Sequence, residues 1–467
     1  MNRGKYLVKN TMIFALGNLG TKLINFFLVP LYTSILCSTE YGTADLIFTI
    51  CTFAVPIIIC NIYESVMRFC LDKDADSDKV MSVGLLILVT SFFTGMILLE
   101  LAKFYEPTSD YYIYVYLYAI SMGTSQVFLC YLRGRELLLQ YSIGNIIQAL
   151  LIATLNVFFL IELRMGVKGY LTAYIIANFA TGLYAFLVGD VWHVLKNFKI
   201  DKELSVSMIR YSIVLIPNSF MWWIMNSVDR VMLTSIVGVA ATGIYAVANK
   251  IPSLVSVIST IFNQAFSYSA IKENESEDRN AFNNRIFEYL LSLVIFTGIV
   301  LIILIKPFMS IYVSDEYYEA WIYAPTLIVG TCILVLGTFL STSYTVHKDS
   351  KGFLFSASIG AVVNILLNFI LIPSLGILGA SIATSISYFV VMVYRSFDVK
   401  KYITINVFAI SNVLSLLSLI VVCILSYMDF IIGYVLMIVL LLFNVVIFKN
   451  NWKQFWNITR NIINNKC

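Results

Sequence analysis

The sequence predicts an all-α integral membrane protein with about fourteen transmembrane helices. Three observations predict it. Of the 467 residues, 60% are hydrophobic and only 12% are charged, whereas soluble domains run near 45–50% apolar and about 25% charged. The apolar residues come in runs of roughly twenty, the length that crosses a bilayer core at about 1.5 Å per residue. Short polar stretches separate the runs, and none is long enough to be a domain.

The first run, 11–35, follows "MNRGKYLVKN" and has no small-residue cleavage site close behind it. It is therefore read as a retained first helix and not as a removed signal. Five spans follow at 43–67, 80–102, 111–132, 141–161 and 167–189. Six more lie at 211–237, 243–268, 287–312, 321–346, 354–373 and 376–394, and the last two at 405–427 and 430–448. The longest connections, 190–210 and 271–285, have the lengths of surface loops. After the last span, "KNNWKQFWNITRNIINNKC" sets Trp452, Phe455, Trp456, Ile462 and Ile463 near one helical face. That pattern fits a short anchoring helix in the inner interface.

Charge placement tests the count. With the N-terminus in the cytoplasm, twenty-four of the 31 lysines and arginines fall on the inner side, four on the outer side and three inside spans. Cytoplasmic loops carry such an excess of Lys and Arg, and a missed helix would scramble the alternation after it. Both termini are therefore expected in the cytoplasm.

The halves resemble each other. "LYTSILCSTEYG" (31–42) lies 201 residues before "MLTSIVGVAATG" (232–243), with Thr-Ser-Ile and the final Gly coinciding. "GVKGYLTA" (166–173) lies 210 residues before "GILGASIA" (376–383), matching at both glycines and the last alanine. These matches predict two six-helix lobes, 1–195 and 196–400, as parallel repeats about an axis along the membrane normal. Residues 401–467 then add a helix pair and the cytoplasmic tail.

Ionisable side chains inside spans are costly, usually face a bundle interior or water, and mark substrate or ion paths. "NSVDRVML" (226–233) places Asp229 and Arg230 side by side in the seventh span. Lys250 lies at a similar depth in the eighth, and Lys22 near the middle of the first. Lys22, Arg230, Lys250 and Asp229 are the expected substrate-binding set, with Asp229 able to pair with either neighbouring cation. The competing reading is a structural Asp229–Lys250 pair with Arg230 snorkelling to the interface. Glu64 and Arg68 read as an ordinary i,i+4 pair. Asp45, near the outer end of the second span, reads as a cap or a cavity-facing residue. Asparagines recur in the spans, among them Asn25, Asn145, Asn178 and Asn226. With Trp222, Trp223 and Tyr245 they suit a sugar-contacting cavity, and equally plain interhelical hydrogen bonding.

No catalytic set appears, and no cofactor is expected. There is no GxxxxGK[ST] loop for ATP. Eight scattered cysteines without a CxxC pair and only two histidines make a metal site improbable. No basic tract with interleaved aromatics suggests nucleic acid.

"FFLVPLYTSILCSTEYGTADL", with Pro30 and Glu40-Tyr41-Gly42, resembles the helix 1–2 signature of the polysaccharide transporter (Wzx-type) flippases. "IPNSFMWWIMNSVDRVMLTSIVGVAATGIYAVANKI", with Asp229-Arg230, Gly243-Ile244-Tyr245 and Lys250, resembles their helix 7–8 signature, and "GILGASIATSISY" their helix 12. The likeness covers nearly the whole chain and extends to the larger superfamily of multidrug antiporters and lipid II flippases. It implies a non-enzymatic flippase that moves an undecaprenyl-pyrophosphate-linked oligosaccharide through a cationic cavity. A glycan polymerase or glycosyltransferases are possible associates. Arg230 and Lys250 match signature positions, whereas Lys22 rests on the physical reading alone. The alternatives are a cation-coupled multidrug antiporter, which would want acidic residues in its cavity, and a membrane enzyme of glycan assembly.

Overall fold

The structure is a computed structural model that describes residues 20, 22–72, 76–272, 279–347, 349–428, 431–449 and 451. Side chains at 261 and 263–272 are outside that description. The start of the first span and the amphipathic tail at 452–467 also lie outside the described residues. Among the described residues every regular element is helical. Among the described residues, ten helices are long and apolar enough to cross a membrane. An eleventh forms if Val239–Ala248 and Lys250–Thr260 count as one broken span. Three shorter apolar helices, Lys22–Ile35, Ile410–Leu425 and Ile431–Ile447, coincide with the remaining expected spans.

The chain divides into two compact units, Met1–Ala246 and Val247–Cys467. The first opens with α1 (Lys22–Ile35), α2 (Ser38–Ile58) and α3 (Ile62–Cys70). The second expected span is broken between α2 and α3. Pro56 lies inside the last turns of α2, and Cys60 and Asn61 adopt left-handed backbone with φ of 49° and 53°. A proline removes a ladder donor, and neither residue after it can continue a right-handed helix in that conformation.

α4 (Ser77–Phe104), α5 (Tyr112–Gly134), α6 (Leu138–Val157), α7 (Gly166–Val188) and the short α8 (Val191–Lys196) follow. α7 packs against both α5 and α6, while α3 and α4 pack on α5. α9 (Lys202–Ile236) is a single 35-residue helix lying along α2 and α3. That contact groups it, with most of α10 (Val239–Ala248), in the first unit.

The second unit holds α11 (Lys250–Lys272), α12 (Arg279–Tyr312), α13 (Ala324–Val346), α14 (Ser350–Leu375) and α15 (Ile377–Asp398). α13 is its core, packed against α11, α12 and α15. α15 packs on both α13 and α14, the arrangement α7 has with α5 and α6. α16 (Ile410–Leu425) and α17 (Ile431–Ile447) pack on α12 and on each other.

Three helix starts carry aspartate side-chain caps. Asp76 accepts the backbone N–H groups of Asp78 and Lys79 at the head of α4, Asp201 that of Leu204 in α9, and Asp349 that of Gly352 in α14. Each satisfies donors that a helix N-terminus leaves orphaned. Asp349 also accepts from the Tyr402 hydroxyl and meets Lys401 at 3.1 Å. The Gly352 N–H, the Tyr402 hydroxyl and Lys401 together hold its carboxyl down at about 2.

Two sequence expectations are corrected. Arg68 does not pair with Glu64; its guanidinium turns to Asp72 at 2.5 Å, where both groups are half exposed. The helix ends at Cys70, so Arg68 meets the chain just beyond it. Arg395, expected in an inner loop, lies within α15 and is fully buried. Its Nε donates to the Ser356 hydroxyl at 3.0 Å and its Nη1 to the Gly337 carbonyl at 2.9 Å.

Candidate functional site

The stripe of α2 that faces α9 and α10 reads Gly42, Asp45, Thr49, Phe53. These steps of three and four residues keep one face of a helix in line. Gly42 has no side chain to hold the neighbouring backbone away, and α10 comes correspondingly near. A Cβ on Gly42 would meet the Val239 carbonyl oxygen at 2.1 Å, and a Cβ on Gly243 would meet the Ser38 carbonyl oxygen at 2.1 Å. Small residues permit this kind of approach between membrane helices.

One turn along, Asp45 pairs with Arg230 of α9, Oδ2 to Nε at 2.9 Å. The two side chains are only 10% and 18% exposed, so the pair is nearly withdrawn from solvent. Farther along, the Trp223 indole N–H donates to the Thr49 carbonyl at 3.1 Å, and its ring lies 4.7 Å from that of Phe53.

Asp229 is buried and is held by its own neighbourhood. Its Oδ1 accepts the backbone N–H of Arg230 at 2.9 Å, and its Oδ2 accepts the Tyr245 hydroxyl of α10. The Thr242 hydroxyl donates to the Arg230 carbonyl at 3.3 Å and lies 2.8 Å from the Thr234 hydroxyl. The end of α9 is thus tied to α10 by side-chain hydrogen bonds.

The structure therefore brings Asp229 and Arg230 into one polar cluster with Asp45 and Tyr245. The sequence matches Asp229 with a cation; in the fold Asp45 meets Arg230, and a tyrosine meets Asp229. Lys22 lies on α1 with its side chain exposed, and Lys250 opens α11 half-buried in the second unit. Of the aromatics expected around a sugar, Trp223 and Tyr245 are committed to packing by the bonds above. Asn226 bonds back to Trp222 of its own helix at 2.6 Å. Sequence reasoning missed Asp45 as the partner of Arg230. The signal was present in the Gly42-Asp45-Thr49 stripe, whose small and polar residues sit where a lipid-facing helix would carry leucines.

A second feature of the first unit is a cavity of about 360 Å³. It is lined from α1 by Asn25, from α5 by Gln126 and from α6 by Asn145 and Gln148. Among the described residues, no acidic or basic side chain stands on its wall.

Residues 7–268 match the family described as "Polysaccharide biosynthesis protein". The chain belongs to this family. A member of the polysaccharide biosynthesis family with this helix inventory is a multi-pass membrane protein. It is 26% identical over 270 residues to an uncharacterized membrane protein of Methanocaldococcus jannaschii. That match spans 52% of this chain and 62% of that protein, less than two thirds of its length. Among solved structures, it resembles the lipid II flippase MurJ in an inward closed conformation, with a TM-score of 0.62 at 16% identity. The likeness covers 97% of this chain and all of that one. It also resembles an inward-facing multidrug resistance MATE family transporter of the MOP superfamily, with a TM-score of 0.69 at 14% identity. That likeness covers 85% of this chain and 98% of the other. At these identities the likeness concerns the fold.

Proposed function

We propose that this protein moves undecaprenyl-pyrophosphate-linked oligosaccharide repeat units from the cytoplasmic to the outer leaflet, by alternating access, for capsule, O-antigen or exopolysaccharide synthesis. The observation that carries the reading is the presence of Lys22, Arg230 and Lys250 in apolar spans of a chain of this family. Cations placed inside spans mark the path of an anion. A pyrophosphate carried on a polyprenyl tail supplies one where no soluble anion would enter.

In this reading the three shorter apolar helices also cross, which gives fourteen spans with both termini cytoplasmic. Two six-helix lobes, 1–195 and 196–400, rock about the site, and 401–467 is an addition. Lys22, Arg230 and Lys250 bind the pyrophosphate. Asp45 and Asp229 position Arg230, one through its guanidinium and the other through its backbone. The protein performs no covalent chemistry and needs no cofactor. Glycosyltransferases or a glycan polymerase are the partners expected beside it.

A cation-coupled multidrug antiporter is the second reading, favoured by the likeness to the MATE fold. The span cations Lys22, Arg230 and Lys250 favour the first, since a path for cations wants acids.

The test is export of glycan in cells. Lys22→Gln, Arg230→Gln and Lys250→Gln should each lower export with the protein still in the membrane. Lys22→Arg should be milder because it keeps the charge. Export at the parent rate by all three glutamine variants would remove the cations from the mechanism.

A further inference from the structure

We propose that the cavity of the first unit is the subsite for the sugar ring attached to the pyrophosphate; this rests on the flippase reading. Its wall is built for a neutral, hydroxyl-rich ligand. A carboxamide offers a donor and an acceptor side by side, and so does a sugar hydroxyl. Asn25, Gln126, Asn145 and Gln148 bring four such groups from three helices to one space. The described residues of the wall carry no charge, so neither an inorganic cation nor a phosphate finds a counter-charge on them.

Two of these amides have unmet bonding capacity. The Gln126 Oε1 and the Asn145 Nδ2 are buried and have no hydrogen-bond partner among the described residues. A buried polar atom without a partner is unfavourable and rare in native proteins, and points to a ligand or an ordered water that meets it. A third amide is oriented. Gln148 Nε2 donates to Asn178 Oδ1 at 2.6 Å, and Asn178 Nδ2 donates to the Ser121 hydroxyl at 3.3 Å. This relay fixes which end of the Gln148 amide is used as the donor.

Size and position agree. A volume of about 360 Å³ is at the small end of ligand pockets, which run from about 300 to 1,000 Å³. It suits the sugar nearest the lipid and not a whole repeat unit. Tyr141 and Tyr174 add aromatic rings to the same wall. On α1, Asn25 follows Lys22 by one turn, a rise of about 4.5 Å on one helical face. A pyrophosphate held at Lys22 therefore delivers its first sugar to Asn25.

Full-length protein in lipid nanodiscs tests this. The probes are undecaprenyl pyrophosphate and the lipid-linked oligosaccharide pool extracted from the host's own membranes. The parent should bind the sugar-bearing lipid at least tenfold more tightly than the bare pyrophosphate. Gln126→Leu and Asn145→Leu should each cut that preference about tenfold, the effect of one lost hydrogen bond, with affinity for the bare pyrophosphate unchanged. Retained binding of the bare lipid also reports that each variant folds. Parent-like preference in both variants, equal weakening for both lipids, or a parent without preference would each overturn the assignment and leave the cavity to water. A parent that binds neither lipid would instead sink the flippase reading.

Discussion

Gly42 and Gly243 lie backbone against backbone, and the contact is reciprocal. A Cβ on either would meet, at 2.1 Å, the carbonyl oxygen of the residue four places before the other. Gly243 and Val239 each follow Gly42 and Ser38 by 201 residues, the offset that aligns the two halves of the sequence. A contact that maps onto itself when the halves are exchanged is what a two-fold axis between repeats produces. It supports the lobes proposed above.

The first prediction concerns that contact. Gly42→Ala and Gly243→Ala should each destabilise the protein by about 1–3 kcal/mol, as overpacking does where backbone and not a flexible side chain must give way. The double variant should cost less than the two added together, since one separation of α2 and α10 accommodates both methyl groups. Gly182→Ala is the control, because its Cβ would make an ordinary contact at 3.6 Å. Melting of the purified protein in detergent reads the effect. Equal melting temperatures for the Gly42 and Gly182 variants would show that the helices separate freely.

The second concerns Asp45 and Arg230. Breaking a buried ion pair from one side costs about 3–5 kcal/mol; the residual exposure of this pair puts each single variant toward the lower end. Asp45→Asn and Arg230→Gln together should recover part of the loss, giving a coupling of about 0.5–3 kcal/mol in a double-mutant cycle. Asp45→Asn should destabilise at least as much as Asp229→Asn, because only the former leaves the guanidinium at Asp45 without its carboxylate. Additive losses would mean that the pair contributes nothing.

Tyr245→Phe gives the third. The hydroxyl donates to a buried carboxylate, and hydrogen bonds to charged groups contribute about 1.5–3 kcal/mol. The variant should lose that much stability, and Tyr245→Phe with Asp229→Asn should be more stable than Tyr245→Phe alone. If the second change brings no recovery, Asp229 does not depend on Tyr245.

The fourth joins topology and energetics. Reporter fusions after 35, 132, 210 and 467 should read outside, inside, inside and inside. An outside reading at 210 would break the alternation of the first six spans. With the interior negative, each negative charge moved outward gains about 2.3 kcal/mol per 100 mV. A diphosphate of about −2 gains twice that, so collapsing the potential should slow export in intact cells. Unchanged export would point to a different driving force.

The helices were legible because an apolar run of about twenty residues is too long for a strand and too apolar for a helix that faces water on one side. The spans expected from 80 to 189 each coincide with one helix. The break at Cys60–Asn61 was not legible, because Pro56 alone reads as a kink and the left-handed residues after it are not glycines. In the cluster, Asp229 and Arg230 were visible as charges in an apolar run. Their partners were not. Asp45 and Tyr245 are chosen by the packing of α2 and α10 against α9, and local spacing reaches no farther than a turn or two. The same limit applies to Arg68, where a local i,i+4 rule offered two acids and only the fold selects Asp72.

The burial of Arg395 bears on how the chain is made. Its guanidinium donates to the Gly337 carbonyl of α13 through Nη1 and to the Ser356 hydroxyl of α14 through Nε. Both acceptors precede it in the sequence, so each has left the ribosome before the arginine emerges. Chains assemble from the N-terminal end as they are synthesised. α15 can therefore leave the insertion machinery onto a waiting two-helix template, and its charge never has to face lipid alone. A gene rearranged to encode α15 ahead of α13 would reverse that order and strand the arginine during insertion.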